Sequence, residues 1–188
     1  MNIFVLSKDP KEAAEFHCDK HVVKMILETG QMLCAAHWIG WQRHLKSVPE
    51  RRSLAEWAEK NIPAGLTPPW KMTHVSHPCT QWTQRSPENY EWLLQLGIEL
   101  CREYTVRYGR HHKAEPVFTW LSENRPPKFE GEGFTPFAIA MPDDCRVSDD
   151  AVECYREYYR VHKRYMAKWK TQVPAWFNQT SCDASDTA

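Results

Sequence analysis

Hydrophobic residues recur with a helical period near the start of the chain. Asp9 as N-cap, Pro10 at the first helical position and Glu12 after it predict a helix start, and the period continues over residues 11–38. Its apolar face is formed by Ala14, Cys18, Val22, Met25, Thr29, Met32, Leu33 and Ala36. Residues 2–6 ahead of it predict a short strand or an extended segment that packs on this helix.

Helical patterns return further along the chain. The clearest has Ser86 as N-cap, Pro87 at the first position and Gly109 just past the end, which predicts a second long helix. Residues 49–61 and 114–121 predict two short helices. Ser148 is the expected N-cap of a last helix of about twenty residues.

Two proline-rich stretches, residues 62–86 and 125–142, separate these helices and predict two long functional loops. The predicted fold class is therefore mainly α: a single-domain helical bundle with at most a short N-terminal strand. Residues 1–177 would form the domain, and residues 178–188 a flexible, polar and acidic tail.

Composition leaves the predicted fold unchanged but limits the possible functions of the chain. The chain has 188 residues, 42% of them hydrophobic, and a formal net charge of zero, so a polyanion would have to be bound by a local patch. Seven cysteines without CxxC spacing favour reduced thiols and a cytoplasmic location. No apolar run is long enough to predict a membrane span, and we expect no membrane partner.

Chemistry-bearing residues lie beside the apolar face of the first helix. His17, His21, Lys24 and Glu28 share one ridge, with Lys20 on its outer flank. Three interpretations are open: a metal site of both histidines and Glu28, a pair of catalytic or phosphate-binding imidazoles, or histidines that satisfy backbone partners at the edge of the core. The two lysines favour an anion over a divalent cation.

A second candidate cluster leads into the second long helix. It contains His77, Gln81, Trp82 and Arg85, and Asn89 lies one turn inside the helix. Free N–H groups and the helix dipole favour an anion at such a position, and Arg85 would add a bidentate donor. The alternative is that these are ordinary solvated loop residues.

The last predicted helix is basic along about half its surface. Arg156, Arg160 and Lys163 lie among Tyr158 and Tyr165 there, a combination typical of nucleic-acid contacts as well as of a simple solvated face. The chain has no P-loop, Rossmann glycine pattern, GxSxG elbow or kinase motif, so no cofactor is expected.

Four stretches of the chain resemble small proteins of tailed bacteriophages. They are NIFVLSKDPKEAAEFHCDKHVVKMILETGQML, HPCTQWTQRSPENYEWLLQLGIELCREYTVRYGRHHK, TPFAIAMPDDC and YREYYRVHKRYMAKWK, with HCDKHVVKMILE as the most specific part. This group is similar to the amino acid:DNA transferases of phage thymine-hypermodification pathways. The resemblance implies that a small amino acid such as glycine attacks activated 5-hydroxymethyluracil in DNA and displaces pyrophosphate.

Under that resemblance, DNA and a small amino acid are the expected partners, and host cytoplasm is the expected location. His21 or His17 would be the general base, with His77 as the next candidate. Phosphate and DNA contacts would come from Lys20, Lys24, Arg85, Asn89, Gln81, Arg156, Arg160 and Lys163, and base stacking from Trp70 and Trp82. The first helix and the loop before Ser86 would then form one pocket that both histidines share with Arg85.

Two other function classes stay open. One is a metal-dependent hydrolase or glycosylase-like enzyme acting on DNA, which would use His17, His21 and Glu28. The other is a non-enzymatic DNA-binding factor, which would need the basic last helix and not the histidines.

Overall fold

The computed structural model describes residues 1–179, and α-helices dominate this part of the chain, as the sequence predicts. The seven α-helices are α1 (Pro10–Phe16), α2 (Asp19–Leu45), α3 (Leu54–Asn61), α4 (Pro78–Thr83), α5 (Pro87–Tyr108), α6 (Glu115–Glu123) and α7 (Ala151–Tyr158). A π-helical turn, Tyr159–Lys163, continues α7. Residues 2–6 have no regular secondary structure, and no β-strand forms within the described range. None of its helices is both long and apolar enough to span a membrane.

The two long helices, α2 and α5, pack against each other at the centre of the fold. Leu33 of α2 and Leu93 of α5 are fully buried in the main core. Gly97 lets α6 approach α5 closely, because a Cβ at this position would overlap the ring of Phe118. Helices α1 and α4 pack on α5 and α2, respectively.

The predicted helix over residues 11–38 is wrong in one respect: it is broken at His17 and Cys18, which have extended backbone. The break is held by Arg107 of α5, whose guanidinium donates to the carbonyl oxygens of Glu15 and His17 and pairs with Asp19 at 3.1 Å. A continuous helix would use these carbonyls internally, whereas the break directs them to a buried cation. Beyond it α2 runs on to Leu45.

The helix caps predicted from the sequence are confirmed at Asp9, Ser86 and Gly109, where the capping contacts are local. The Asp9 carboxylate accepts from the Glu12 N–H, and the Ser86 hydroxyl accepts from the Asn89 N–H. Gly109 ends α5 in the left-handed conformation that glycine tolerates best.

The last helix differs from the prediction. Asp150 and not Ser148 is the N-cap, because the Asp150 carboxylate accepts from the Val152 N–H while the Ser148 hydroxyl accepts from Asp150 N–H. The α-helix also ends at Tyr158, so the expected length of about twenty residues is wrong.

The loop predicted over residues 62–86 is also wrong in part, since it contains α4. The predicted tail begins at residue 178, and residues 180–188 of it lie outside the described residues. Its flexibility therefore stays a prediction.

Candidate functional site

The two ridge histidines lie inside the protein. His17 is fully buried and His21 is 4% exposed. His17 Nδ1 lies 2.6 Å from the Ala13 carbonyl oxygen, and His21 Nδ1 lies 2.5 Å from the Tyr159 hydroxyl. The Phe4 ring covers His21, with 4.4 Å between the ring centroids. Neither imidazole is reachable by a substrate in this conformation.

Phe4 is held over His21 by an unusual backbone conformation. Its φ of 36° lies in the left-handed region, which a non-glycine residue adopts only when its surroundings fix it. The Asn2 side chain supplies this restraint: it accepts from the N–H groups of Ile3 and Phe4 and donates to the Ala140 carbonyl.

Burial makes both histidines poor proton acceptors. Desolvation, together with the charge on Arg107, lowers the pKa of His17 to about 4. Desolvation lowers the pKa of His21 to about 2, with further lowering from the charges of His17, Lys163 and Lys24. Both side chains are therefore neutral near pH 7. Their geometry fits the third interpretation of the sequence, histidines with local partners at the core.

The expected pocket that these histidines share with Arg85 is absent from residues 1–179. The Arg43 guanidinium donates to the carbonyl of Gln84, next to Arg85, at 3.5 Å. Arg43 and His21 lie on the same helix, 22 positions apart, which corresponds to about 33 Å along its axis. The length of α2 thus separates the arginine from the imidazoles, and Arg85 is exposed near the opposite end of this helix.

The candidate cluster before α5 is separated by the fold into buried and accessible residues. Asn89 is fully buried, and its amide is fully used: it donates to the Trp82 carbonyl and the Thr135 hydroxyl and accepts from the Thr135 N–H. Trp82 is only 3% exposed and packs against Phe137, so it has no free face for a base. The structure therefore leaves neither the Asn89 amide for an anion nor a face of Trp82 for a base, and their predicted roles stay predictions.

The other members of this cluster stay accessible. Gln81 is exposed on α4. Trp70 is half-buried, with its indole over Gly30 of α2 and its carbonyl accepting from the Trp38 indole N–H. Their predicted roles in substrate binding stay predictions.

His77 is the one candidate histidine that reaches the surface. It is half-buried as the N-cap of α4, and its Nδ1 accepts from the Cys79 N–H at 3.2 Å, so Nε2 carries the proton of the neutral ring. Desolvation lowers its pKa, and the nearby carboxylate of Glu28 opposes this. Lys24 pairs with Glu28 at 2.9 Å. The fold thus places the buried Glu28 near half-buried His77 and in an ion pair with the exposed Lys24.

A basic surface surrounds the start of α2. The Asp19 N–H donates to the Lys168 carbonyl at 2.8 Å, and the Lys170 N–H donates to the Asp19 carboxylate at 3.1 Å. This non-helical segment therefore lies beside Lys20. Lys24 and Lys163 lie near His21, as their effect on its pKa shows. We call Lys20, Lys24, Lys163, Lys168 and Lys170 the basic face.

Four of the five lysines of the basic face form no ion pair within residues 1–179. Asp19 pairs with the buried Arg107, whereas Glu28 pairs with Lys24 of the basic face at 2.9 Å. Lys163 lies 4.6 Å above the Tyr158 ring, and the Tyr165 side chain beyond it is 82% exposed.

Two of the side chains predicted to contact DNA, Arg156 and Arg160, make contacts within the protein instead. Arg156 donates to the Leu6 carbonyl and lies over the rings of Phe16 and Trp176. Arg160 pairs with Glu157 at 2.6 Å. Lys163 is half-buried like these two arginines, but its ammonium lies over the Tyr158 ring and forms no ion pair within residues 1–179.

The alternative metal set is not assembled either. The His17 and His21 rings lie 6.3 Å apart with their Nδ1 atoms bonded elsewhere, and Glu28 lies with Lys24. Within residues 1–179 the cluster that gathers metal-ligating atoms is a different one, Asp144, Cys145 and His162.

Sequence reasoning also missed a cavity of about 770 Å³ beside α3. Its lining is mainly apolar, from Trp38, Ala58, Ile62 and Met72 among others.

No protein-family model, curated protein or solved structure matches this chain.

Proposed function

We propose that the chain is a DNA base-modifying transferase. It would use the amine of a small amino acid to displace pyrophosphate from activated 5-hydroxymethyluracil in DNA. The four resembling stretches are the source of this proposal, and the basic face is the structural observation that supports it best.

The basic face supports DNA binding because its lysines come from two distant parts of the chain. Lys20 and Lys24 lie on the first turns of α2, whereas Lys168 and Lys170 arrive from the segment after α7. A fold that gathers like charges on one surface loses stability unless an anion is bound there. Phosphate groups of DNA are such anions, and the exposed Tyr165 ring adds a surface on which a base can stack.

The proposed chemistry needs a proton acceptor and cations within reach of solvent. Of the three candidate histidines His77 meets this condition, so we assign the general base to His77 and not to His17 or His21. Lys24 and Lys20 would stabilise charge on the leaving pyrophosphate from the adjacent ridge. The glycine amine would lose its proton to His77 Nδ1, the unprotonated ring nitrogen, as the new C–N bond forms and the C–O bond to pyrophosphate breaks. This step would release the contact of Nδ1 with the Cys79 N–H.

Transfer of labelled glycine to DNA that carries pyrophosphorylated 5-hydroxymethyluracil tests the activity. His77→Asn preserves the N-cap acceptor but cannot take up the proton, so we expect kcat to fall by about 100-fold. His111→Asn is the matched control, since His111 is exposed and pairs only with Glu115. Wild-type protein without transfer would refute the function, and a fully active His77→Asn variant would refute the assignment of the base.

DNA binding is tested separately. Replacing Lys20, Lys168 and Lys170 by alanine should weaken binding and reduce the slope of log K against log salt by about 2–3. The control carries the same charge change at exposed lysines elsewhere, Lys60, Lys113 and Lys128. Equal binding by the two triple variants would exclude the basic face. Binding through this face without transfer would favour the non-enzymatic DNA-binding factor.

A further inference from the structure

A cluster of three different metal-ligating groups lies where the turn Asp143–Cys145 meets the π-helical turn after α7. His162 Nε2 lies 2.8 Å from one carboxylate oxygen of Asp144, and Cys145 Sγ lies 3.6 Å from the other. The three ligand atoms all lie within 4.8 Å of one another. We propose that Asp144, Cys145 and His162 form a binding site for a divalent transition-metal ion of the zinc type.

The spacing is close to that of a tetrahedral site. With typical zinc bond lengths, tetrahedral angles place an imidazole nitrogen and a carboxylate oxygen about 3.3 Å apart, and a sulfur and an oxygen about 3.5 Å apart. The observed separations, 2.8 Å and 3.6 Å, involve the two different oxygens of the Asp144 carboxylate, and with one oxygen chosen the three ligand atoms lie within 4.8 Å of one another. A shift of about one ångström, with rotation of the carboxylate, completes the arrangement.

The chemistry of the donors selects the class of ion. A thiolate, an imidazole and a carboxylate suit zinc and its neighbours in the first transition row, whereas magnesium and calcium prefer oxygen ligands alone. Three protein ligands leave one tetrahedral position for water. His162 is half-buried and the Asp144 side chain is 58% exposed, so an ion can enter from solvent.

The same three groups do not have the geometry of a nucleophilic triad. In such a triad the imidazole lies between nucleophile and carboxylate, whereas here the Asp144 carboxylate lies between the Cys145 thiol and the His162 ring. Burial of Cys145 and the adjacent Asp144 charge raise the pKa of the thiol to about 11, which makes it a poor nucleophile without a cation.

A bound ion would connect two segments that are otherwise joined by few groups. Asp144 and Cys145 lie in the loop before α7, and His162 lies in the π-helical turn directly before Lys163 of the basic face. Metal binding would therefore fix the orientation of this turn. This inference is independent of the transferase proposal.

Cobalt binding to the full-length, chelator-treated chain is the first test. Titration with Co²⁺ should produce a thiolate-to-cobalt absorption band and tetrahedral visible bands that saturate at one equivalent, and Zn²⁺ should displace them. Cys145→Ser should abolish the thiolate band. Asp144→Asn and His162→Gln should each weaken Zn²⁺ binding by about 100-fold or more in competition with a chromophoric chelator.

Two control variants separate this site from other binding. Asp143→Asn makes the same charge change at the adjacent carboxylate, whose side chain is 92% exposed, and Cys154→Ser removes a nearby thiol outside the cluster. Both should bind cobalt like the wild type. The proposal is overturned by absence of a saturable band in the wild type, by its persistence in Cys145→Ser, or by its loss in Asp143→Asn. Because His162 is at the surface, its variant tests the site even where Cys145→Ser does not fold.

Discussion

Titration of His17 should make the protein lose stability in mild acid. The Ala13 carbonyl can only accept a hydrogen bond, so Nδ1 of His17 carries the proton of the neutral ring, and Nε2 is buried without a partner. Adding a proton to Nε2 would place a second charge beside the buried Arg107. The unfolded chain meets no such obstacle, and it takes up this proton more readily than the folded chain.

The magnitude follows from the lowered pKa. Between the unfolded value of 6.5 and the folded value of about 4, the unfolded state binds more protons, so stability falls as pH decreases through this window. From pH 7 to pH 5 the His17 contribution corresponds to a loss of about 2 kcal/mol in the free energy of unfolding. Above pH 7 the group has little further effect.

Urea unfolding followed by tryptophan fluorescence at pH 7 and pH 5 measures this loss. His21 and His37 add to the wild-type slope, since burial also lowers their pKa values to about 2 and about 3. The His17→Asn variant keeps a donor toward Ala13 without titrating, so it should lose about 2 kcal/mol less than the wild type. The exposed control His111→Asn should follow the wild type. Equal losses in wild type and His17→Asn would refute the reasoning.

Two further predictions concern packing, and urea unfolding checks both. Arg107→Met removes a fully buried guanidinium and leaves two half-buried carboxylates, Asp19 and Glu103, without this partner. It should reduce the free energy of unfolding by about 3–5 kcal/mol, whereas Arg102→Met on the exposed face of the same helix should cost about 1 kcal/mol or less. A similar loss in both variants would contradict the role of the buried pair. Gly97→Ala forces a Cβ into the ring of Phe118 and should destabilise by about 1–3 kcal/mol, and Gly131→Ala, with more space around it, should not.

The sequence predicted the elements whose signals are local. Ser86, Pro87 and Gly109 lie within or next to the helix they delimit, and α5 has the expected ends. The break at His17 was not predictable in this way, because the cation that holds it, Arg107, is 90 residues away and its carbonyl contacts depend on how α5 packs.

Placement of the candidate site was predictable only over short distances. Lys24 and Glu28 are one helical turn apart, and the expected shared ridge is present as an ion pair. Arg85 was expected beside His21 from residue type alone, but the length of α2 keeps them apart. Cys145 and His162 had no motif spacing, and only the fold brings them together.

The first turn of α2 is completed by chain from near the other end of the sequence. In a continuous helix the Asp19 N–H would donate to a carbonyl of the preceding turn, but here it donates to the Lys168 carbonyl. The indole of Trp169 donates to the Phe16 carbonyl at 3.0 Å. Fragments that stop before Lys168 should therefore fray at α2, whereas fragments that extend past Phe177 retain this closure. A truncated protein that still folds must therefore include the chain through Phe177.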